Sequence, residues 1–304
     1  MNAIICLVEG TYWDGLTAII NSAIRNNFEG CVYVGYRGHL PNWLNQFKQD
    51  ENRTNSYAIT DKVSLQLILI ISERNLGYEK PFFIHQLIQT EDYEQLFYFD
   101  VDCVAVADFG FYTNWCKNHI ALCEDECFNT LHVNHPWRVY WRNILEMNDY
   151  SIHHLAHNYV NSGFIGLSKI NFDIIETWKN LTLRLEDAGL NTTSFHKNPL
   201  LPIQGDQEIL NMALMTKDQE HLSIIGKEGM GFAEPCYLMV HCTKPEKPWQ
   251  KKFLWSFLKN GYPVSIKEKK FLDYLTSPIN NMGKTKTLFK KIDIFMTKII
   301  SRIF

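Results

Sequence analysis

The sequence of 304 residues predicts an α/β fold: a mostly parallel, Rossmann-like sheet flanked by helices, followed by an amphipathic helical tail. Three observations predict it. The first stretch alternates an apolar run, a helical-period segment and a second apolar run, a βαβ beginning. Leu96–Val106 is apolar apart from two acids, as expected of a strand covered on both faces. Residues 284–304 then change character, carrying six basic residues against one acid.

Taken in order, Ile4–Val8 reads as the first strand, and residues 14–27 place Leu16, Ile19, Ile20, Ala23 and Ile24 on one helical face. Val32–Tyr36, after Gly30, is the second strand. No Gly-x-Gly-x-x-Gly fingerprint lies between them, which argues against an ordinary dinucleotide-binding enzyme. Residues 41–62 are polar and read as a surface helix and loop, and Val63–Ile71 as a strand. Lys80-Pro81 opens a helix running to about Gln89, with proline in a tolerated first-turn position. Lys80 is there either a diphosphate ligand or a solvated helix-start lysine.

Asp100 and Asp102 interrupt the Leu96–Val106 run. An unpaired buried carboxylate costs several kcal/mol, so something cationic must meet them. Residues i and i+2 of extended chain point the same way, so both can reach one divalent ion on a diphosphate. Two solvated acids at a strand end are the bland alternative.

Residues 108–158 hold Cys116, His119, Cys123, Cys127, His132 and His135, without a paired Cys-x2-Cys framework for zinc. They read as a lid or acceptor-side insertion in which Trp115, Trp137, Tyr140 and Trp141 either meet sugar rings or fill space. Val160–Leu167 is a strand with Asn161, Ser162 and Gly163 at its start; Gly163 permits close backbone approach, and Asn161 offers donor and acceptor to hydroxyls. Residues 171–187 form an amphipathic helix capped by Asn171. Pro199–Gln204 leads into Gly205-Asp206-Gln207, which opens a helix to about Met215, with Asp206 in the first turn, where an acid is favourable.

Residues 237–249 run from an apolar strand into His241, then a loop with Lys244 and Lys247 closed by Pro248 and Trp249. Imidazole suits a third position on a borderline metal such as Mn²⁺, and the lysines can act as point charges on phosphate oxygens.

These stretches resemble the family 8 glycosyltransferases, the group containing glycogenin and the bacterial lipooligosaccharide galactosyltransferases. Tyr98-Phe-Asp-Val-Asp102, Tyr159-Val-Asn-Ser-Gly163, Gly205-Asp-Gln207 with Asn211, and His241-x5-Lys247-Pro-Trp249 stand in the family's order over roughly residues 1–250. The resemblance implies a GT-A fold, a UDP-sugar donor, a divalent metal (Mn²⁺ or Mg²⁺) and retention at the anomeric carbon. It implies metal ligation by Asp100, Asp102 and His241, with Val101 between the acids. It also implies donor contacts from Val8, Glu9, Lys80, Asn161, Ser162, Gly163, Lys244 and Lys247, and catalytic positions at Asp206 and Gln207. Glu9 stands where the family usually has the Asp beside the uracil, and Lys244 where it has Gly.

Charge and composition narrow the partners. A net charge of −3 argues against nucleic acid, and 46% hydrophobic with 21% charged residues is ordinary for a globular chain. Cys6, Cys31, Cys103 and Cys236 lie in apolar strand-like runs, as reduced structural thiols do, which predicts a cytoplasmic setting. The N-terminus has no basic n-region, and no stretch of 18 uncharged apolar residues exists. Residues 1–250 form the expected transfer domain, 251–283 a helical extension and 284–304 the tail. In the tail Leu288, Ile292, Phe295, Met296, Ile299, Ile300 and Ile303 share one helical face opposite most lysines. Such a helix suits the inner face of an anionic membrane and a glycan or lipid-linked acceptor there, as in surface polysaccharide or lipopolysaccharide synthesis; docking on the protein's own surface is the alternative. Other chemistries on the same fold (an inverting transferase, a nucleotidyltransferase) and a non-catalytic sugar-nucleotide binder stay open.

Overall fold

The computed structural model describes residues 1–128, 130–154, 157–196, 198 and 200–302. Strand β1 (Asn2–Val8), helix α1 (Trp13–Arg25) and strand β2 (Gly30–Tyr36) form the opening unit, with β1 and β2 parallel. The polar stretch after it is not a helix and loop: a 3-10 turn at Asn42–Gln46 buries Trp43 and Leu44. A short hairpin, β3 (Lys48–Gln49) and β4 (Ser56–Ala58), then pairs antiparallel onto β5 (Val63–Leu69). Two apolar side chains among many polar ones anchor this edge.

Helix α2 (Leu76–Thr90) starts earlier than Lys80-Pro81 suggested, because the Asn75 side chain caps it by accepting from Gly77 N. Pro81 therefore lies inside the helix. The apolar run splits at its two acids into β6 (Gln95–Phe99) and β7 (Cys103–Ala105), which belong to different sheets. Helix α3 (Phe109–Trp115), strand β8 (Ile120–Cys123) and helix α4 (Pro136–Met147) follow. Strand β8 is a member of the main sheet, so residues 108–158 are not purely an insertion.

Strand β9 (Phe164–Ser168) runs antiparallel between β6 and β8. Helix α5 (Asp173–Asp187) buries Ile174, Ile175, Trp178, Leu181 and Leu185; Asn171 lies buried in a preceding 3-10 turn and does not cap it. Helix α6 (Asp206–Leu214), strand β10 (Leu222–Ile225), strand β11 (Met239–His241) and helices α7 (Phe253–Asn260), α8 (Ile266–Leu272) and α9 (Gly283–Ile300) complete the chain. The main sheet runs β10-β8-β9-β6-β1-β2-β5-β4-β3, and β11 pairs antiparallel with β7.

One core lies between the sheet and α2, α4, α5 and α6, where Trp141 and Trp178 are fully buried. A second lies under α1 and α3. Residues 251–283 close a third around Trp249, Phe271 and Leu275. Asn21 of α1 ties them down, donating to Tyr274 O (2.7 Å) and Ile279 O (2.8 Å) and accepting from Ile279 N (2.8 Å). From β1 the sheet extends through β2 on one side and through β6 on the other. That reversal opens a crevice at the carboxyl ends of β1 and β6, the usual ligand position in open α/β sheets.

Candidate active site

A cleft of about 540 Å³ occupies this crevice. Asp100 follows β6 directly. The loop it starts is held from below by Gly15 of α1, where a β-carbon would lie 2.2 Å from Val101 O and 2.8 Å from Trp249 Cη2. Val101 is buried beneath the loop, and Asp102 reaches His241 across the β7–β11 pair. His241 Nε2 stands 3.1 Å from Asp102 Oδ1 and 3.9 Å from Asp100 Oδ2. Residues more than a hundred positions apart thus converge on one point.

Two lysines balance these acids. Lys247 Nζ lies 2.6 Å from Asp102 Oδ2 and donates to Cys242 O at 3.0 Å. Burial alone would raise the Asp102 carboxyl, but His241 and Lys247 outweigh it and hold it well below the usual carboxylate range. Lys80, only 5% exposed, sits 3.1 Å from Asp100 Oδ1 and 3.0 Å from Asp206 Oδ2, and donates to Ser162 O and Oγ at 3.2 Å. Burial would lower its ammonium; the two carboxylates outweigh that and raise it. Lys80 is therefore a buried cross-link of the site, not a solvated helix-start lysine.

Carboxylate oxygens and an imidazole nitrogen are a donor set suited to a divalent ion. His241 Nε2 faces both carboxylates; the ligand atoms close enough together to share one ion are those of Asp102, Cys103 and His241, and Asp100, 3.9 Å from the imidazole, stands outside that group. Cys103 lies close to Asp102 and His241, but burial pushes its thiol far up, and a protonated thiol is a poor ligand. Among the described residues, Cys116, His119, Cys123, Cys127, His132 and His135 enter no grouping able to hold a metal.

The other expected site residues divide. Asp206 and Gln207 face the cleft from the start of α6, and Gln207 Oε1 accepts from Ser162 N at 3.1 Å. Glu9 lines the mouth beside Arg37, at 3.6 Å. Val8 does not reach the cleft: it is wholly buried, and its carbonyl accepts from Arg37 N. Asn161 touches the cleft, but its side chain is engaged internally, accepting from Gly163 N and donating to Asp125 Oδ2, both at 2.9 Å. Asn211 likewise ties α6 to Val160 through both backbone groups. Lys244 lies outside: its side chain is exposed and its ammonium stands 5.9 Å over the Tyr262 ring. Gly163 serves His241 rather than a ligand, because a β-carbon there would lie 2.4 Å from His241 Cε1.

Several residues escaped the sequence reading. Asp125 orients Asn161 and sits just after β8; an apolar run ending in acids, as at Phe99-Asp100, could have revealed it. Tyr98, part of the Tyr98–Asp102 stretch but given no role there, donates to Asp100 Oδ1 at 2.7 Å. Glu126 accepts from Thr243 and Lys267, bracing the His241–Lys247 loop. Tyr12, Phe195 and His196 line the cleft with no motif to announce them. Of the aromatics expected either to meet sugar rings or to fill space, Trp137 and Trp141 are buried, and Trp115 stacks on Phe164 at 5.5 Å. They fill space, while Tyr140 is exposed away from the cleft lining.

No protein-family model matches the chain, and no curated protein matches it in sequence. Its fold does match solved structures. The WbbM bifunctional glycosyltransferase superposes with a TM-score of 0.57 at 14% identity, over 96% of this chain and 51% of that one. The glycosyltransferase GlyE of Streptococcus pneumoniae TIGR4 gives 0.52 at 16% identity, over 99% of this chain and 64% of that one. The galactosyltransferase LgtC, solved with donor and acceptor sugar analogues, gives 0.52 at 12% identity, over 95% of this chain and 99% of that one. The chain thus spans between half and two thirds of WbbM and GlyE, and nearly all of LgtC. Its architecture is the GT-A fold of glycosyltransferases.

Proposed function

We propose that the protein is a metal-dependent, retaining glycosyltransferase that moves a hexose from a UDP-sugar to a glycan or lipid-linked acceptor. The observation that carries this is the convergence of Asp100, Asp102 and His241, flanked by Lys80 and Lys247, at the sheet reversal of a GT-A fold. A divalent ion held by those three side chains would neutralise the diphosphate and act as a Lewis acid on it.

The chain's own groups do the rest. Lys80 and Lys247 are fixed positive charges where the leaving nucleotide gains charge, a preorganised electrostatic contribution. Glu9 faces the uracil at the end of β1. Asp206 supplies negative charge beside an anomeric carbon that becomes oxocarbenium-like. The Gln207 amide is a weak nucleophile, which favours attack by the acceptor hydroxyl from the face the nucleotide leaves. In that step the acceptor oxygen–carbon bond forms, the carbon–phosphate-oxygen bond breaks, and the hydroxyl proton passes to the departing phosphate.

The tail supports a membrane-proximal acceptor. Asp293 accepts from Phe253 N (2.7 Å) and Leu254 N (3.0 Å), capping α7, and Thr297 is buried. The polar stripe therefore docks, and Leu288, Phe289, Ile292, Phe295, Met296 and Ile299 face outward beside Trp255 and Leu258 of α7. Lys284, Lys286, Lys291 and Lys298 are exposed around them. Ile294 is half-buried with the docked stripe, as is Ile300, while Ile303 falls outside the described residues, as does Pro199. No described helix is long and apolar enough to cross a membrane. An apolar face rimmed by lysines suits the surface of an anionic bilayer, at the inner face of a cytoplasmic membrane where surface polysaccharide or lipopolysaccharide is built.

The test is slow hydrolysis of UDP-hexoses with and without Mn²⁺, followed by anomer analysis of the glycoside formed with an acceptor. Metal-dependent hydrolysis with retained configuration is expected. Pyrophosphate release would replace the reading with nucleotidyl transfer, and binding without any turnover would reduce the protein to a sugar-nucleotide binder.

A further inference from the structure

One wall of the cleft, next to Asp206, carries an aromatic ring. Phe195 lies in the connection between α5 and α6, 46% exposed and lining the cleft. Its ring leans on buried Tyr78, with centroids 5.4 Å apart. Two glycines clear its seat. A β-carbon on Gly77 would lie 2.3 Å from Phe195 Cζ and 2.8 Å from Asp206 Oδ1, and one on Gly205 3.0 Å from Phe195 Cδ1. The ring thus rests directly on the start of α6, beside Asp206 and Gln207.

The loop carrying it is fixed at both ends. Asn75 N donates to Thr192 O at 2.7 Å, and the Thr192 hydroxyl bonds Glu186, which Arg74 grips through two hydrogen bonds of 2.7 and 2.9 Å. On the far side His196 N donates to Gln204 O at 2.8 Å. A half-exposed aromatic ring held by its neighbours, next to polar groups that bind hydroxyls, matches the two-sided chemistry of a pyranose. A sugar has an apolar C–H face for an aromatic plane and a hydroxyl rim for carboxylates and amides.

We propose that Phe195 is the stacking platform for a hexopyranose ring in this cleft, and so a specificity-determining residue; this rests on the transferase reading above. The ring belongs either to the donor's hexose or to the acceptor, and the same chemistry serves both.

The test compares wild type, F195A and F195W by calorimetric titration with UDP, with UDP-glucose and UDP-galactose, and with octyl β-D-hexopyranosides, all with Mn²⁺. An aromatic stack of ordinary strength is worth roughly tenfold in affinity. F195A is expected to weaken the sugar-bearing ligand by about that factor, leaving UDP alone unchanged, with F195W restoring it. Weakening confined to UDP-hexose assigns the ring to the donor; weakening confined to the glycoside, with UDP present, assigns it to the acceptor. Equal weakening of UDP and UDP-hexose, or sugar affinity within about twofold of wild type in F195A, overturns the platform while leaving the transferase reading intact. If F195A melts below the working temperature, F195L with the same titrations decides. Wild-type protein that binds no UDP-hexose at all overturns both.

Discussion

The imidazole of His241 stands where a side chain on residue 163 would have to go: a β-carbon at Gly163 would lie 2.4 Å from His241 Cε1 and 2.9 Å from its Nδ1. Gly163 also accepts from Asp100 N at 2.8 Å, so one glycine positions both the imidazole and the first carboxylate. Its missing side chain is a requirement of this arrangement of imidazole and carboxylates.

Gly163→Ala should therefore push the imidazole off Asp102 without unfolding the sheet. Mn²⁺ affinity, read by titration calorimetry or electron paramagnetic resonance, is expected to fall about tenfold or more, in the range seen when groups orienting metal ligands are lost. Unchanged Mn²⁺ binding in a folded G163A protein would contradict the ligand assignment.

Asp102→Asn tests the buried pair with Lys247. Leaving the ammonium without its carboxylate should cost about 3–5 kcal/mol at neutral pH. The Asp102 carboxyl is held low, so its contribution is complete above about pH 4 and fades as pH falls through the lower native value. The Lys247 ammonium is raised despite its burial, so the pair persists below about pH 10.5 and is lost as pH climbs past the raised native value. The stability gap between wild type and D102N, measured by urea unfolding, should be a plateau between those limits and narrow outside them. A gap independent of pH would sink this account.

Lys80→Met removes an ammonium that touches both Asp100 and Asp206. Turnover should drop by roughly a hundred- to a thousandfold, the usual cost of deleting a preorganised charge. Lys80→Arg keeps the charge but not the fit and should recover part of the loss. Steady-state donor hydrolysis measures both, and an active K80M would exclude Lys80 from the machinery.

For the tail, co-sedimentation with phosphatidylglycerol vesicles should retain wild-type protein at low salt and release it as screening grows. Neutralising Lys284, Lys286, Lys291 and Lys298 as Gln should remove on the order of 4 kcal/mol of attraction, about a thousandfold in partitioning. F295S should weaken binding without altering hydrolysis of soluble UDP-hexose. Equal binding to neutral and anionic vesicles would count against a charge-guided surface.

Much of this molecule could be read from local pattern. Alternating apolar and helical-period segments announced β1, α1, β2 and β5, and two acids in an apolar run announced the break after β6, because burial forces such carboxylates to find a cation. The spacing from His241 to Lys247 announced a loop carrying charge. Such signals depend on neighbours a few residues away, and residues that close carry them in their order.

What was hidden depended on distant partners. Ile120–Cys123 is a sheet strand because β10 pairs along it on one edge and β9 returns antiparallel to lie between it and β6. Lys247 enters the cleft and Lys244 does not because one of them meets a carboxylate 145 positions earlier, across a strand pair that sets the loop's tilt. Phe195 becomes a wall of the cleft because Gly77, in the first turn of α2, and Gly205, just before α6, leave its ring a place to rest. Loop closure over such separations is settled by packing and charge pairing in three dimensions, which no run of adjacent residues encodes.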